Sequence, residues 1–254
     1  MARPKIGLQL YTLRDLTGSD MAGVLKQVAD MGYEGVEPAG YGNMDALTIK
    51  RVLDDCGLKV VGNHMGFSAL NDNLQGVIDD NLLLDNRYIV CPSIPRDQRT
   101  SAEGYKKFAE TLNEIGARLN SNDMILCYHN HAFEFEDRFD GQYGLDILYE
   151  NSEPQFLQAE IDTYWVQKGR VDPASYIRKY AGRAPLIHIK DMANDEKESF
   201  AEIGTGKLNW PDIFAAAEEG GATALIVEQD VCPGDPIDSV RLSIENLKKM
   251  GKLD

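Results

Sequence analysis

The chain holds four histidines, and each falls at or just past the end of a short apolar run. The runs are LKVVGNH, ending at His64; MILCYHNH, carrying His129 and His131; and APLIHIKD, carrying His188. Carboxylates close similar runs: Glu37 after YEGV, Asp162 after FLQAEI and Glu228 after ALIV. Imidazoles and carboxylates bind transition metals and move protons. Their return at one position of successive runs is what a shared site requires.

Strand alternation groups them further, because residues two apart share a face. His129 pairs with Cys127, and His131 follows in register if the strand stays regular. Glu160 and Asp162 share a face, as do His188 and Lys190. Two carboxylates turned to an interior are costly unless matched to a cation. A plainer reading of Asp162 is a cap on the following turn; a plainer reading of Lys190 is an ion pair with Asp191 or Glu160. His129, Asp162, His188 and Glu228 come from four successive runs and form a mixed nitrogen and carboxylate set. Such a set suits Mn²⁺ first, with Zn²⁺, Co²⁺ and Fe²⁺ as alternatives, and is poor for Ca²⁺. A cation there lowers the barrier to removing a proton beside a substrate carbonyl. Glu228, His131, Lys190 and Glu160 are the candidates for acid, base and substrate handling.

Eight strand-like segments must position these groups: 5–10, 33–37, 58–64, 87–91, 123–129, 156–161, 184–189 and 222–228. Between them lie segments of helical spacing, such as DMAGVLKQVADMG, where Met21, Val24, Leu25, Val28 and Met31 share a face. Gly32, Gly57 and Gly182 stand where helix-ending caps are expected, and Asp172-Pro173 and Asn209-Trp210-Pro211 look like helix starts. Strict alternation predicts a parallel sheet with helical crossovers, and about 250 residues in eight units predicts a single (β/α)8 TIM barrel across 1–254. In that fold all strand C-terminal ends surround one mouth, which explains the shared position of the reactive residues.

Composition narrows the function. The formal net charge of −15 opposes phosphate backbones and anionic membranes, so nucleic acid and membrane partners are not expected. At 43% hydrophobic the chain can bury a core. No run approaches the ~18 apolar residues of a membrane span, and no secretory leader is visible, so a cytoplasmic protein is expected, a removed leader leaving the same sequence. Cys56, Cys91, Cys127 and Cys232 form no CxxC pair and read as reduced thiols. No GxGxxG follows the first strand, and GTGK at 204–207 lacks the pattern of a phosphate loop. The charge says little about a small neutral substrate inside a cleft, and homo-oligomerisation is left open.

The combination YHNH, EIDTYW, HIKD, GTGKLNW and VEQD resembles the sugar phosphate isomerase/epimerase superfamily, whose fold is the xylose-isomerase-type barrel; the resemblance runs from GLQLYTLR to IVEQD. It implies a metal held by Glu, Asp, His and Glu from strands five to eight. Asp162, His188 and Glu228 match the last three, and His129 stands where the first glutamate is expected. Epimerases of the group use two glutamates as paired acid and base, so this departure is similar to the dehydratase and lyase branch, which includes inosose dehydratases and enzymes of 3-keto sugars. The resemblance also implies that Gln9, Glu37 and His64 line the substrate side and that Trp165 and Trp210 can stack on a sugar. The leading expectation is a metal-dependent isomerase or epimerase of a ketose or keto-sugar. The alternative is a lyase or dehydratase of a keto-inositol or 3-keto-glycoside. An abasic-site endonuclease and a silent sugar-binding barrel are weaker readings.

Overall fold

The structure, a computed structural model, describes residues 3–253. Nine strands form one sheet: β1 (Lys5–Gln9), β2 (Gly35–Glu37), β3 (Lys59–Val60), β4 (Asn63–His64), β5 (Tyr88–Cys91), β6 (Ile125–His129), β7 (Leu157–Asp162), β8 (Leu186–Ile189) and β9 (Ala224–Val227). Their order is β3-β2-β1-β9-β8-β7-β6-β5-β4, and every pairing is parallel. The two edges, β3 and β4, are consecutive pieces of one stretch of chain. Val61 N donates to Val36 O (3.0 Å) and Met65 N to Val90 O (2.8 Å), so that stretch joins β2 to β5 and closes the cylinder.

The expected strand 58–64 is therefore split, and the cause lies at Gly62. A Cβ there would stand 2.0 Å from Glu37 Oε1 and 3.2 Å from Leu186 Cδ1. Val61 belongs to the interior apolar cluster, and His64 also reaches interior partners, so alternation slips by one between them. An extra residue of this kind bends a strand and re-aims the side chains beyond it. Asn63 consequently points outward, donating to Tyr41 Oη and Asn81 Oδ1 at 2.9 Å.

The other strands keep the period of two. Inside the barrel, Val61, Val90, Cys127, Leu186, Ala224 and Ile226 form an apolar plug. One step further along β6, β8 and β9 the inward residue becomes His129, His188 and Glu228. The plug excludes water from below, and the larger core between sheet and helices holds the cylinder from outside.

Most helices follow their sequence signals. Arg14–Met31 is broken at Asp20 (φ −146°), whose Oδ1 accepts from Gly23 N at 2.9 Å, so regular helix begins at the predicted DMAGV segment. Gly32 and Gly57 end helices in the left-handed region, and Asp172 caps Pro173–Lys179 through Ser175 N. Gly182 does not end that helix: it stops at Lys179, and Gly182 turns the chain afterwards with φ 77°. Asn209 makes no side-chain cap on Trp210–Glu219. All four cysteines are unpaired. Among the described residues no helix is long and apolar enough to cross a membrane.

Candidate active site

The reactive residues meet at the C-terminal ends of the strands, in two tiers that share the same imidazoles. The lower tier centres on Glu160, fully buried on β7. Its Oε1 lies 2.8 Å from His64 Nε2, 2.9 Å from His129 Nδ1 and 3.1 Å from His188 Nε2. Glu37 Oε2 stands 2.6 Å from His188 Nε2 and accepts from Gln9 Nε2 at 2.9 Å. A carboxylate only accepts, so the imidazole nitrogens carry the hydrogens here.

The upper tier uses the opposite nitrogens. His129 Nε2 and His188 Nδ1 each lie 3.9 Å from Asp162 Oδ2, and His188 Nδ1 lies 3.0 Å from Glu228 Oε2. Ligand atoms of His129, Asp162, His188 and Glu228 all fall within 4.8 Å of one another; those of His64, His129, Glu160 and His188 do likewise. The lower set is closed at hydrogen-bond lengths. The upper set leaves space, and the buried Asp162 Oδ2 is partnered by the Lys190 ammonium, with Nζ at 3.0 Å. A buried carboxylate oxygen that faces two imidazole nitrogens and already draws a cationic group is a donor set a divalent cation fits. The residues fit the expected metal at the upper tier, with Glu160 and Glu37 orienting the imidazoles from below.

Asp162 unites the two readings of its sequence position. Oδ1 caps the helix Thr163–Lys168 by accepting from Trp165 N at 2.9 Å, and Oδ2 faces the upper tier. Its amide N is fixed by Asn130 Oδ1 at 3.0 Å. Lys190, fully buried, places Nζ 3.0 Å from Asp162 Oδ2, 2.7 Å from Glu228 Oε2 and 2.6 Å from Asp230 Oδ2. The plain pairing expected with Asp191 or Glu160 is not found. Asp191 instead accepts from Gly204 N, Gly206 N and Trp210 Nε1 (2.8–3.0 Å) and anchors the GTGKLNW loop.

A cavity of about 330 Å³ opens above the upper tier, walled in part by Tyr11, His64, His129, His131, Glu228 and Asp230. The His131 ring stacks on Phe133 at 5.6 Å, its backbone N donates to Glu134 Oε2 at 2.8 Å, and its Nδ1 is buried without a partner. Trp165 packs beside His131 with ring centroids 5.6 Å apart, and Lys190 Nζ lies 5.4 Å over its ring.

Electrostatics sorts the groups. Burial pulls His64 down, but Glu37 and Glu160 overcome it and hold its pKa up at about 10. The same carboxylates outweigh burial at His188 and raise it well above the ordinary value. Burial, aided by the neighbouring His188, lowers His129 far below its usual range. Burial and the Lys190 charge bring His131 down to about 4. Burial raises Asp162 to about 6 despite Lys190.

Three of the expected substrate contacts, Gln9, Glu37 and Trp210, are not among the residues that line the cavity. Gln9 and Glu37 are fully buried, and Gln9 donates to Glu37 and accepts from Tyr11 N (3.0 Å). Trp210 is elsewhere: its indole N–H is bound by Asp191, and its ring packs 5.5 Å from Phe214 beside a separate cavity of about 570 Å³. His64 does face the cavity. Asp230, missed in the sequence, stands two residues beyond Glu228, where the alternation that grouped 188 with 190 points to it. Glu134 had no comparable signal.

A closed α/β barrel that gathers imidazoles and carboxylates at the C-terminal ends of its strands has its reactive residues where TIM-barrel enzymes carry their active sites, in a cluster that could hold a metal. The chain belongs to the xylose isomerase-like TIM barrel family, which matches residues 25–250, in line with the resemblance in its motifs. It is 22% identical over 268 residues to the inosose dehydratase of Geobacillus kaustophilus, covering 89% of this chain and 86% of that protein. A sugar phosphate isomerase/epimerase from Parabacteroides distasonis superposes with a TM-score of 0.86 at 25% identity, covering 100% of this chain and 96% of that one. A 3-DHS dehydratase from Bacillus anthracis shares the fold at a TM-score of 0.76 and 12% identity, covering 96% and 98%. The family thus holds both isomerase/epimerase and dehydratase members.

Proposed function

We propose that this chain is a divalent-metal-dependent enzyme that removes a proton beside the carbonyl of a keto-sugar or keto-inositol and then expels a neighbouring oxygen substituent. The observation that carries the reading is the set of His129, Asp162, His188 and Glu228, whose ligand atoms lie within 4.8 Å of one another beside a small cavity. A divalent cation bound there supplies Lewis-acid polarisation of the substrate carbonyl. His131, which lines the cavity, is the proton acceptor. His64, anchored on Glu160, returns a proton to the departing oxygen. The two rings lie 5.0 and 5.1 Å from that of His129, so both reach a substrate seated above it. Lys190 and Glu160 act on Glu228 and His129 rather than on the substrate.

Elimination is favoured over two-carboxylate epimerisation because the cavity wall carries one of the barrel's glutamates, Glu228, while Glu160 is sealed below three imidazoles. The dehydratase name of the Geobacillus kaustophilus relative supports the same choice. Isomerisation is the second reading, favoured by His64 and His131, the cavity imidazoles outside the proposed ligand set, which could exchange a proton between adjacent carbons. An endonuclease is disfavoured by the charge of −15 and by two carboxylates at the cavity.

The test is chelator-stripped protein reloaded with Mn²⁺, Zn²⁺, Co²⁺ or Fe²⁺ and offered an inosose and 3-keto-sugars in deuterated water. An unsaturated product with loss of water is expected. Deuterium uptake without loss of water selects isomerisation. Neither outcome with any metal removes the proposal.

A further inference from the structure

We infer that Lys190 is a built-in competitor for the divalent cation and that Asp230 is the partner to which its ammonium withdraws when the cation enters. The inference rests on the metal site proposed above and concerns how that site is filled.

Lys190 is the longest side chain buried in the site, at 0% exposure. Its ammonium lies against both carboxylate members of the upper tier, Asp162 Oδ2 at 3.0 Å and Glu228 Oε2 at 2.7 Å. These are the oxygens a metal would claim. Its third partner, Asp230 Oδ2 at 2.6 Å, belongs to neither ligand set. The ammonium therefore has a ligand side and a side away from the ligands.

Both sides are built. The backbone of Lys190 is pinned, its N accepting no freedom of register: it donates to Thr163 Oγ1 at 3.0 Å, and Thr163 Oγ1 lies 3.1 Å from Lys190 O. Its head rests over the faces of Trp165 (5.4 Å) and Phe200 (5.7 Å), which tolerate a cation while it shifts. The Asp230 segment is held by Arg14, whose Nη2 donates to Asp230 O at 2.9 Å. Asp230 itself is about a quarter exposed and can follow a small movement.

Buried carboxylates without a cation are strongly unfavourable, and the ammonium between Asp162 and Glu228 offsets that cost. A divalent ion on the same oxygens takes over that role and repels the ammonium at short range. Loading is then an exchange of one cation for another, and affinity is set below what the four donors alone would give.

The test is isothermal titration of Mn²⁺, without any sugar, into chelator-stripped full chain at one fixed pH and salt concentration. Lys190→Met is expected to bind Mn²⁺ at least tenfold tighter than the parent. Asp230→Asn is expected to bind it several-fold more weakly in the parent background and less than twofold more weakly in the Lys190→Met background. That loss of effect separates a partner acting through Lys190 from a general negative charge. Lys190→Gln, with circular dichroism and a melting curve, stands in if the methionine variant does not fold. Unchanged or weaker binding in both Lys190 variants overturns the inference, as does an equal Asp230→Asn effect in both backgrounds. Binding in Lys190→Met but not in the parent supports it. No binding in any variant overturns it together with the metal site. Metal binding as expected, but without turnover of any keto-sugar, leaves the inference standing and removes only the proposed reaction.

Discussion

His129 and Glu160 form a fixed pair, Nδ1 to Oε1 at 2.9 Å, and that bond turns Nε2 of the same ring toward Asp162. The carboxylate sets both tautomer and orientation of the ligand above it. Glu160→Gln is expected to weaken Mn²⁺ binding by about 10–100-fold, read by competition with a coloured chelator. Unaltered affinity would remove Glu160 from its orienting role.

Asp162 serves two partners with its two oxygens, and two substitutions separate them. Asparagine caps helices as well as aspartate, so Asp162→Asn should lose metal while keeping its cap. Asp162→Ala should lose both, with about 1 kcal/mol less stability than the asparagine variant. Denaturant melts of the metal-free variants, run beside metal analysis, check the separation.

Glu228→Gln keeps the shape of the side chain and removes its charge. Turnover should fall by at least ~10²-fold, with the far-ultraviolet circular dichroism of the parent. Activity near the parent level would exclude Glu228 from the chemistry.

Glu134 predicts a pH effect outside the metal site. It is fully buried, accepting from Tyr128 Oη (2.7 Å) and His131 N (2.8 Å), and burial raises its pKa to about 8. The unfolded chain gives up this proton near pH ~4.3, whereas the folded chain keeps it to about 8. Its stabilising contribution is therefore complete at acid pH, declines between these values and is lost above the upper one. Glu134→Gln carries no charge at any pH. Relative to that variant, the parent's melting temperature should drop by several degrees from pH 5 to pH 8. Parallel melting curves across that range would contradict the assignment.

Trp210 tests the correction made by the structure. Trp210→Phe removes the indole donor from buried Asp191 and should cost about 1–3 kcal/mol of stability. It should leave product formation by the folded enzyme unchanged, because the ring borders a different cavity. A drop in turnover without a drop in stability would return Trp210 to the substrate.

Much of this was legible because barrel strands obey simple rules. Alternation places 160 with 162 and 188 with 190, and parallel closure brings those faces to one mouth, so His129, Asp162, His188 and Glu228 could be grouped before any coordinates. What the sequence hid depends on three-dimensional partners. Gln9 and Glu37 sit on correct faces but one tier too low, and depth along a barrel axis is set by stagger, which a linear pattern does not carry. The helices Leu74–Leu83 and Gly144–Glu150 lack the clear polar and apolar stripes that marked the others. Glu134 lies on a short loop helix whose partners, Tyr128 and His131, point to it only after the chain has turned.

Gly62 has a final consequence. The space its missing side chain leaves is filled by Glu37 Oε1, so the smallest residue in the barrel lets a negative charge sink below the imidazoles. An alanine at 62 would stand 2.0 Å from that oxygen and force it to move. The depth at which this enzyme stores its charge is thus written in an atom the chain does without.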